Sequence, residues 1–239
     1  MRHELVILLL GILLTLGSGN VTKERCLLFP DEANTIISDP CLVLYESLGL
    51  KDKIAYSVFE KAFNGYQKVE GRQKNILTLI DFTKPSSEER LFVVDMDQRR
   101  LLYHSVVAHG RNSGNLYATS FSNTPNSLQS SLGFYLTDDT YYGKNGYSLH
   151  LNGLEQGIND NARRRAIVMH GARYANPSVC QGGGRLGRSF GCPAVPEDIN
   201  RPIIDTIKGG SVLFIYAEDP QYQAKSQYLT SAPLVTRTT

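Results

Sequence analysis

Apolar and polar positions change period several times along this chain, and each change predicts an element. From Glu46 to Tyr66 the apolar residues Ile54, Val58, Phe59, Ala62, Phe63 and Tyr66 recur at helical spacing. This predicts a helix with one oily face packed on the rest of the domain. After Gly71 the period shortens. Ile76 to Phe82 alternates, a polar Lys84-Pro85-Ser86-Ser87 loop follows, and Leu91 to Asp95 resumes the alternation before Asp97-Gln98 turns the chain into Leu101 to Ala108. The Ser- and Asn-rich stretch from Ser120 to Ser131 predicts an exposed loop ahead of a strand from Leu132 to Thr137. Tyr147 to Leu151, Ala166 to His170 and Ser211 to Tyr216 are further strand candidates, and a helix is expected from Pro196 to about Lys208, stopped by Gly209-Gly210. Many short strands and few helices point to a mainly β sandwich or barrel-like sheet instead of an α/β crossover fold.

With 239 residues, the chain has room for one sizeable core domain and a small extension. Arg2, the apolar run Leu5 to Leu16 and the small residues Gly17, Ser18 and Gly19 form a signal-peptide pattern. The run is short of the roughly 20 residues a membrane span needs. The organisation expected is a signal segment over 1–19 with cleavage after Gly19, an extension over 20–44, the main domain over 45–217 and a polar tail over 218–239. A retained anchor is the alternative to cleavage, and no other segment is suited to span a membrane. Export places the four cysteines where disulfides persist, making Cys26 and Cys41 candidates for a bridge and Cys180 a free or partly buried thiol, with a bridge from Cys180 to the nearby Cys192 as the alternative. The formal charge of +2 without a dense basic block argues against a nucleic-acid partner. Arg163-Arg164-Arg165 is short and reads as a solvated patch.

The candidate chemistry lies in two places: Val168-Met169-His170-Gly171-Ala172-Arg173, and Gly187-Arg188-Ser189-Phe190-Gly191-Cys192-Pro193-Ala194-Val195. A thiol attacks a carbonyl as the thiolate, so Cys192 needs a base, and His170 is the residue type that supplies one near neutral pH. Gly191 lets backbone N–H groups approach an oxyanion with no Cβ in the way. His109 is a candidate supporting residue, and His150, between two leucines, reads as structural. A zinc site from His109, His150, His170 and Cys192 would use legitimate ligand types, but no short CxxC or HExxH spacing supports it. Gly182-Gly183-Gly184 lacks the Gly-Lys-Ser/Thr ending of a phosphate loop and reads as a mobile flap. No cofactor or metal is expected.

This constellation resembles the L,D-transpeptidase (YkuD-like) catalytic domain, matched at His170, Gly171, Ser189, Gly191 and Cys192. The stretch from about Tyr45 to Tyr216 is similar to its murein L,D-transpeptidase branch, through Gly110-Arg111-Asn112-Ser113-Gly114, Ser130-Ser131-Leu132-Gly133 and Gly191-Cys192-Pro193-Ala194-Val195. The resemblance implies a YkuD-like β-sandwich or barrel-like fold with an N-terminal helix and a few short helices. It also implies Cys192 as nucleophile, His170 as base oriented through the Gly171 carbonyl, Ser189 shaping the turn or supporting the histidine, and N–H groups around Gly191 and Cys192 as oxyanion donors. Family members often carry a polar residue where this chain has Phe190, and Arg or Asn where it has Ala194. If a carboxylate is gripped, Arg173, Arg185 and Arg188 are the candidate cations, with Phe190 an apolar wall. The implied partners are peptidoglycan stem peptides, joined by 3→3 cross-links in the periplasm or cell envelope, with carbapenems able to acylate Cys192. Hydrolysis by the same site (an L,D-carboxypeptidase), a cysteine peptidase or amidase with another acyl donor, and a non-catalytic peptidoglycan-binding module remain open readings.

Overall fold

The short alternating segments assemble into one eight-stranded sheet. A computed structural model describes residues 39–230. The expected signal segment, Cys26 with most of the extension, and the last nine residues of the expected tail lie outside the described residues. The strands are β1 (Ile76–Asp81), β2 (Leu91–Asp95), β3 (Arg100–Ser105), β4 (Gly133–Gly143), β5 (Gly146–Gly153), β6 (Val168–Gly171), β7 (Ala194–Val195) and β8 (Val212–Tyr216). They lie in the order β3-β2-β1-β8-β4-β5-β6-β7. Pairing is parallel between β1 and β8 and between β6 and β7, and antiparallel elsewhere. Past β3 the chain peels away and reaches β7. The Ala108 N–H donates to the Ala194 carbonyl at 2.8 Å, and the Ala194 N–H returns to the Ala108 carbonyl at 3.3 Å. The two sheet edges thereby meet and the sheet is nearly closed, as expected for a mainly β, barrel-like domain with few helices.

Strand β8 is buried along its whole length, which its uninterrupted Val212-Leu213-Phe214-Ile215-Tyr216 anticipates for a strand covered on both faces. On one face Phe214 stacks on Phe134 of β4 with ring centroids 4.0 Å apart. Helix α2 (Tyr56–Lys68) closes over that pair. A Cβ on its Gly65 would fall 2.0 Å from the Phe134 ring, so the helix approaches the sheet only because the residue has no side chain. Val58, Phe59, Ala62 and Tyr66 face the core from the same helix, and burying each large one is worth about 1.5–3 kcal/mol.

The helix predicted from Glu46 to Tyr66 is two elements, α1 (Pro40–Ser47) and α2. The Tyr45 hydroxyl donates to the Ile54 carbonyl at 2.6 Å, which ties the end of the first helix to the chain entering the second and leaves a turn where periodicity alone reads continuous helix. Cys41 and Leu44, on the extension side of the expected boundary, are buried in the core. The strand expected from Ala166 begins at Val168, because Ala166 sits in the left-handed region at φ 54°. Helix α3 (Glu197–Ile207) matches expectation, and no helix among the described residues is long and apolar enough to cross a membrane.

The stretch after Ala217 is less of a tail than its polarity suggests. Helix α4 (Pro220–Lys225) buries Tyr222, and Ser226 follows it into the interior. Both dock on Glu155, a carboxylate only 2% exposed, which accepts from the Phe134 N–H at 2.8 Å, the Tyr222 hydroxyl at 3.1 Å and the Ser226 hydroxyl. Burial pushes the Glu155 pKa up against these three donors. A raised carboxyl pKa means the fold favours the protonated form. The associated stability is therefore greatest below the unfolded pKa and is lost as pH rises through the folded one. Glu155→Ala leaves the three buried donors without their carboxylate acceptor and should cost about 2–4 kcal/mol, a fall of roughly 5–15 °C in Tm by thermal denaturation. Glu155→Gln keeps one oxygen in place, so it should cost far less and flatten that pH dependence.

Candidate active site

His170 is fixed from both sides by the sheet, opposite Ser148 on β5 and Ala194 on β7. Its Nδ1 lies 2.9 Å from the Gly171 carbonyl. A carbonyl only accepts, so Nδ1 carries the proton and Nε2 holds the free lone pair. Burial lowers the His170 pKa, opposed only in part by the Gly171 bond. The ring is therefore neutral at pH 7 and ready to accept a proton at Nε2.

The cysteine loop is held by serine hydroxyls. Ser189 Oγ donates to the Cys192 carbonyl at 2.6 Å and accepts from the Gly191 N–H at 3.0 Å. The Ser189 N–H donates to the His109 carbonyl at 2.9 Å, and its carbonyl accepts from the Arg111 N–H at 2.8 Å. Ser130 Oγ donates to the Gly191 carbonyl at 3.0 Å while accepting from the Gly110 N–H, and the Ser130 N–H donates to Ser113 Oγ at 2.8 Å. The two upstream blocks singled out in the sequence thus converge on the Gly191-Cys192 turn. Gly191 has φ 126°, and a Cβ there would lie 2.8 Å from the Gln129 carbonyl and 2.9 Å from Ile167. One expectation is corrected: the Gly191 N–H is committed to Ser189, so it is not available to an oxyanion. The Cys192 N–H donates to no other residue among those described and lies against its own sulfur.

Cys192 is 8% exposed. Its Sγ accepts from the Val168 N–H at 3.5 Å and donates to the Ala166 carbonyl at 3.6 Å. The thiol and His170 line one cavity of about 160 Å³, together with Asn145, Tyr174, Arg188, Ser189 and Phe190. A second cavity of about 290 Å³ reaches Cys192 from another side, past Asn126, Leu128, Arg165, Ala166 and Phe190. Burial pushes the Cys192 pKa up, with the Val168 N–H and the Arg165 charge pulling the other way. At rest the buried thiol and the neutral imidazole face one cavity, the thiol proton being directed at the Ala166 carbonyl.

Of the four predicted recognition residues, two line the first cavity, Arg188 and Phe190. Arg188 donates to the Arg111 and Gly114 carbonyls at 3.2 and 3.0 Å, and Phe190 is 66% exposed beneath the Arg111 guanidinium. The other two do not reach either cavity. Arg173 points into solvent, its side chain 92% exposed and 3.8 Å from Glu197, while Ala172 and Ala175 of the same turn are buried and Tyr174 lines the cavity. Arg185 is spent on Asn115 and on the Leu186 carbonyl.

Asn145, Tyr174 and Arg165 were not anticipated. Arg165, read with its neighbours as a solvated patch, is half-buried. The only sequence signal was a charge placed where the chain enters an apolar strand. His150 pairs with Asp139 at 2.8 Å. His109 accepts at Nδ1 from the fully buried Arg90 at 2.9 Å, and burial together with that charge lowers its pKa to about 4. It works through its carbonyl, which holds Ser189. Cys180 is a half-buried free thiol, as expected, at the end of the single turn Pro177–Cys180. The glycine run after it forms a turn, with Gly182 and Gly183 at φ 80° and 84°.

Against known families, residues 50–216 match the model of the L,D-transpeptidase catalytic domain. A search of curated proteins returns no match. Among solved structures, an L,D-transpeptidase from Mycobacterium smegmatis is 12% identical over 60% of this chain and 59% of its own length, with a TM-score of 0.37. An L,D-transpeptidase in complex with imipenem is 11% identical over 59% of each chain, TM-score 0.37. An L,D-transpeptidase from Stackebrandtia nassauensis is 14% identical over 74% of this chain and 76% of its own, TM-score 0.35. This chain thus spans well short of two thirds of the first two of these proteins.

A buried thiol with a raised pKa should react slowly near neutrality. Alkylation of Cys192 by iodoacetamide, followed by peptide mass spectrometry, should still be accelerating with pH above the ordinary cysteine range of about 8.5. Gly191→Ala, which forces the turn off the Gln129 carbonyl, should change this profile and lower Tm in the same protein.

Proposed function

From the premise that this chain belongs to the L,D-transpeptidase catalytic domain family, we propose that it is an exported cysteine acyltransferase acting on peptidoglycan stem peptides. The observation that carries this reading is the shared cavity of Cys192 and His170, with the His170 tautomer fixed by the Gly171 carbonyl so that Nε2 is the base. In the first step Sγ of Cys192 attacks the carbonyl of the third stem residue, a diamino acid, and its proton passes to Nε2. The tetrahedral oxyanion is met by the Cys192 N–H. Collapse breaks the bond to the terminal D-alanine, whose nitrogen takes the proton back from Nε2, and a thioester remains. An amine from a neighbouring stem then attacks the thioester, loses its proton to Nε2 and restores the thiol, leaving a 3→3 cross-link. Water in place of the amine makes the same site an L,D-carboxypeptidase.

Two features favour transfer between two peptides over simple hydrolysis. Cys192 is reached from two adjoining cavities, which suits a reaction in which donor and acceptor meet the same sulfur in turn. Phe190 lines both cavities and offers an apolar surface beside the thioester. Export is supported by the apolar run and small residues at the N-terminus, and the cell envelope is where such a substrate is found. The β-lactam ring of a carbapenem offers Cys192 an acyl group in the same position, so acylation by that class is part of the reading.

Incubation with tetrapeptide muropeptides should release D-alanine and yield cross-linked dimers, with a transient adduct on Cys192 visible by intact-mass spectrometry. Cys192→Ala should abolish both products and adduct, and His170→Gln should slow acylation by about 10²–10⁴-fold. Turnover retained by Cys192→Ala would remove the mechanism. Tight binding without any product would make the chain a peptide-binding module.

A further inference from the structure

The second cavity beside Cys192 is built at a conformational cost. Of four non-glycine residues held at positive φ among the described residues, three line it: Asn126 at 60°, Leu128 at 57° and Ala166 at 54°. Strained backbone persists only where surrounding contacts over-determine it, and it gathers at functional sites. The contact that over-determines this wall is Arg165. Its guanidinium donates to the Ser122 carbonyl at 2.6 Å, to Ser131 Oγ, to Ser127 Oγ at 3.1 Å and to the Gln129 carbonyl at 2.6 Å. All four acceptors are neutral. The Gln129 carbonyl is the atom against which Gly191 closes, so the clamp reaches the nucleophile's turn through one residue.

The charge itself is not compensated. No carboxylate lies among the described ion pairs of Arg165, and none lines either cavity. An arginine keeps its proton under all ordinary conditions. The groups facing Cys192 are His170 and Arg165 from the strand β6 and its approach, Tyr174 from the turn after β6, and Arg188 from its own loop. His170 is neutral at rest and Tyr174 is a phenol whose pKa is raised to about 12. Arg188 and Arg165 are the fixed charges, and Arg165 stands next to Ala166, whose carbonyl holds the thiol.

We propose that Arg165 is a positioning residue for the nucleophile: it pins the 122–131 loop against the Cys192 turn and holds an unpaired positive charge beside the sulfur that stabilises the thiolate. The proton still leaves Sγ for Nε2 of His170. Arg165 takes no part in that transfer and lowers its cost through the field alone. It supplies on the upstream side of the site the cationic character that Ala194 does not carry downstream. The proposal rests on Cys192 being the nucleophile, as in the reading above.

The test is iodoacetamide alkylation of Cys192 across pH in the full chain, with Cys180 as an internal control. Alkylation forms the C–S bond and expels iodide, so its rate follows the thiolate and needs no peptide substrate. In Arg165→Gln the midpoint for Cys192 should rise by about one pH unit or more, with at least a tenfold slower rate at pH 7, and Cys180 should not change. Arg165→Lys, which keeps the charge and gives up most of the clamp, should stay within about threefold of wild type. A profile for Arg165→Gln that coincides with wild type overturns the proposal, as does an equal shift in both variants. Should Arg165→Gln fail to fold, the lysine variant decides: an unmoved profile upholds the proposal, and an upward shift overturns it. A protein that alkylates in the expected pattern but processes no muropeptide would sink the functional reading and leave the role of Arg165 standing.

Discussion

Two hydrogen bonds between Ala108 and Ala194 are the constraint on which this site depends. They close the sheet where β3 would otherwise end as an open edge, and they do so at a strand of only two residues. That closure carries the chain after Ala108 directly under the cysteine loop. The His109 carbonyl, the Arg111 N–H and the Ser113 hydroxyl then become partners of Ser189 and Ser130. Strand β7 pairs with β6 in register His170 to Ala194, so His170 sits across from a residue two places beyond Cys192. His170 and the Cys192 thiol reach one cavity because β7 pairs with β6, and the closure at Ala108 braces that pairing from the other side.

Within that frame the electrostatics follow from what is left out. The cavities that meet at Cys192 are lined by arginine, asparagine and aromatic side chains, with no carboxylate. A carboxylate partner on His170 would raise its pKa and favour the imidazolium; the Gly171 carbonyl orients the ring with much less charge, and burial then keeps it neutral. The thiol is held in its protonated form by burial. Neither group is charged at rest, and a thiol kept protonated is less prone to oxidation than a thiolate.

Much of this was legible in the sequence, because the strands are short, amphipathic and bounded by turn residues, and because the site residues come as a motif. What escaped detection did so for identifiable reasons. The single predicted helix divides into α1 and α2 through a Tyr45 hydroxyl bond that no periodicity encodes. Helix α4 is short and offers only Tyr222 as a large buried side chain, and its burial depends on Glu155, 67 residues earlier. Strand β7 is too short to show alternation. Arg165 looks like its solvated neighbours Arg163 and Arg164 until the loop it binds is folded over it. Conversely, Arg173 and Arg185 lay near the motif in sequence and carried the right charge, but local turns directed them elsewhere.

The two departures from the family pattern can be explained on the same physical basis. Ala194 is fully buried and packs in a small cluster with Val106, Ala108, Ala172, Ala175 and Leu186. A guanidinium at that position would have to displace the cluster or bury a charge among alkyl groups, at a cost of several kcal/mol. The backbone of residue 194 closes the sheet whatever its side chain, and in this chain the small side chain packs in the apolar cluster instead of carrying a charge. The cationic side chains accordingly sit at the rim, on Arg188, and behind the loop, on Arg165, where backbone carbonyls and hydroxyls solvate them. Phe190 fits the same arrangement: with Arg111 above its ring, it presents a flat apolar wall to both cavities.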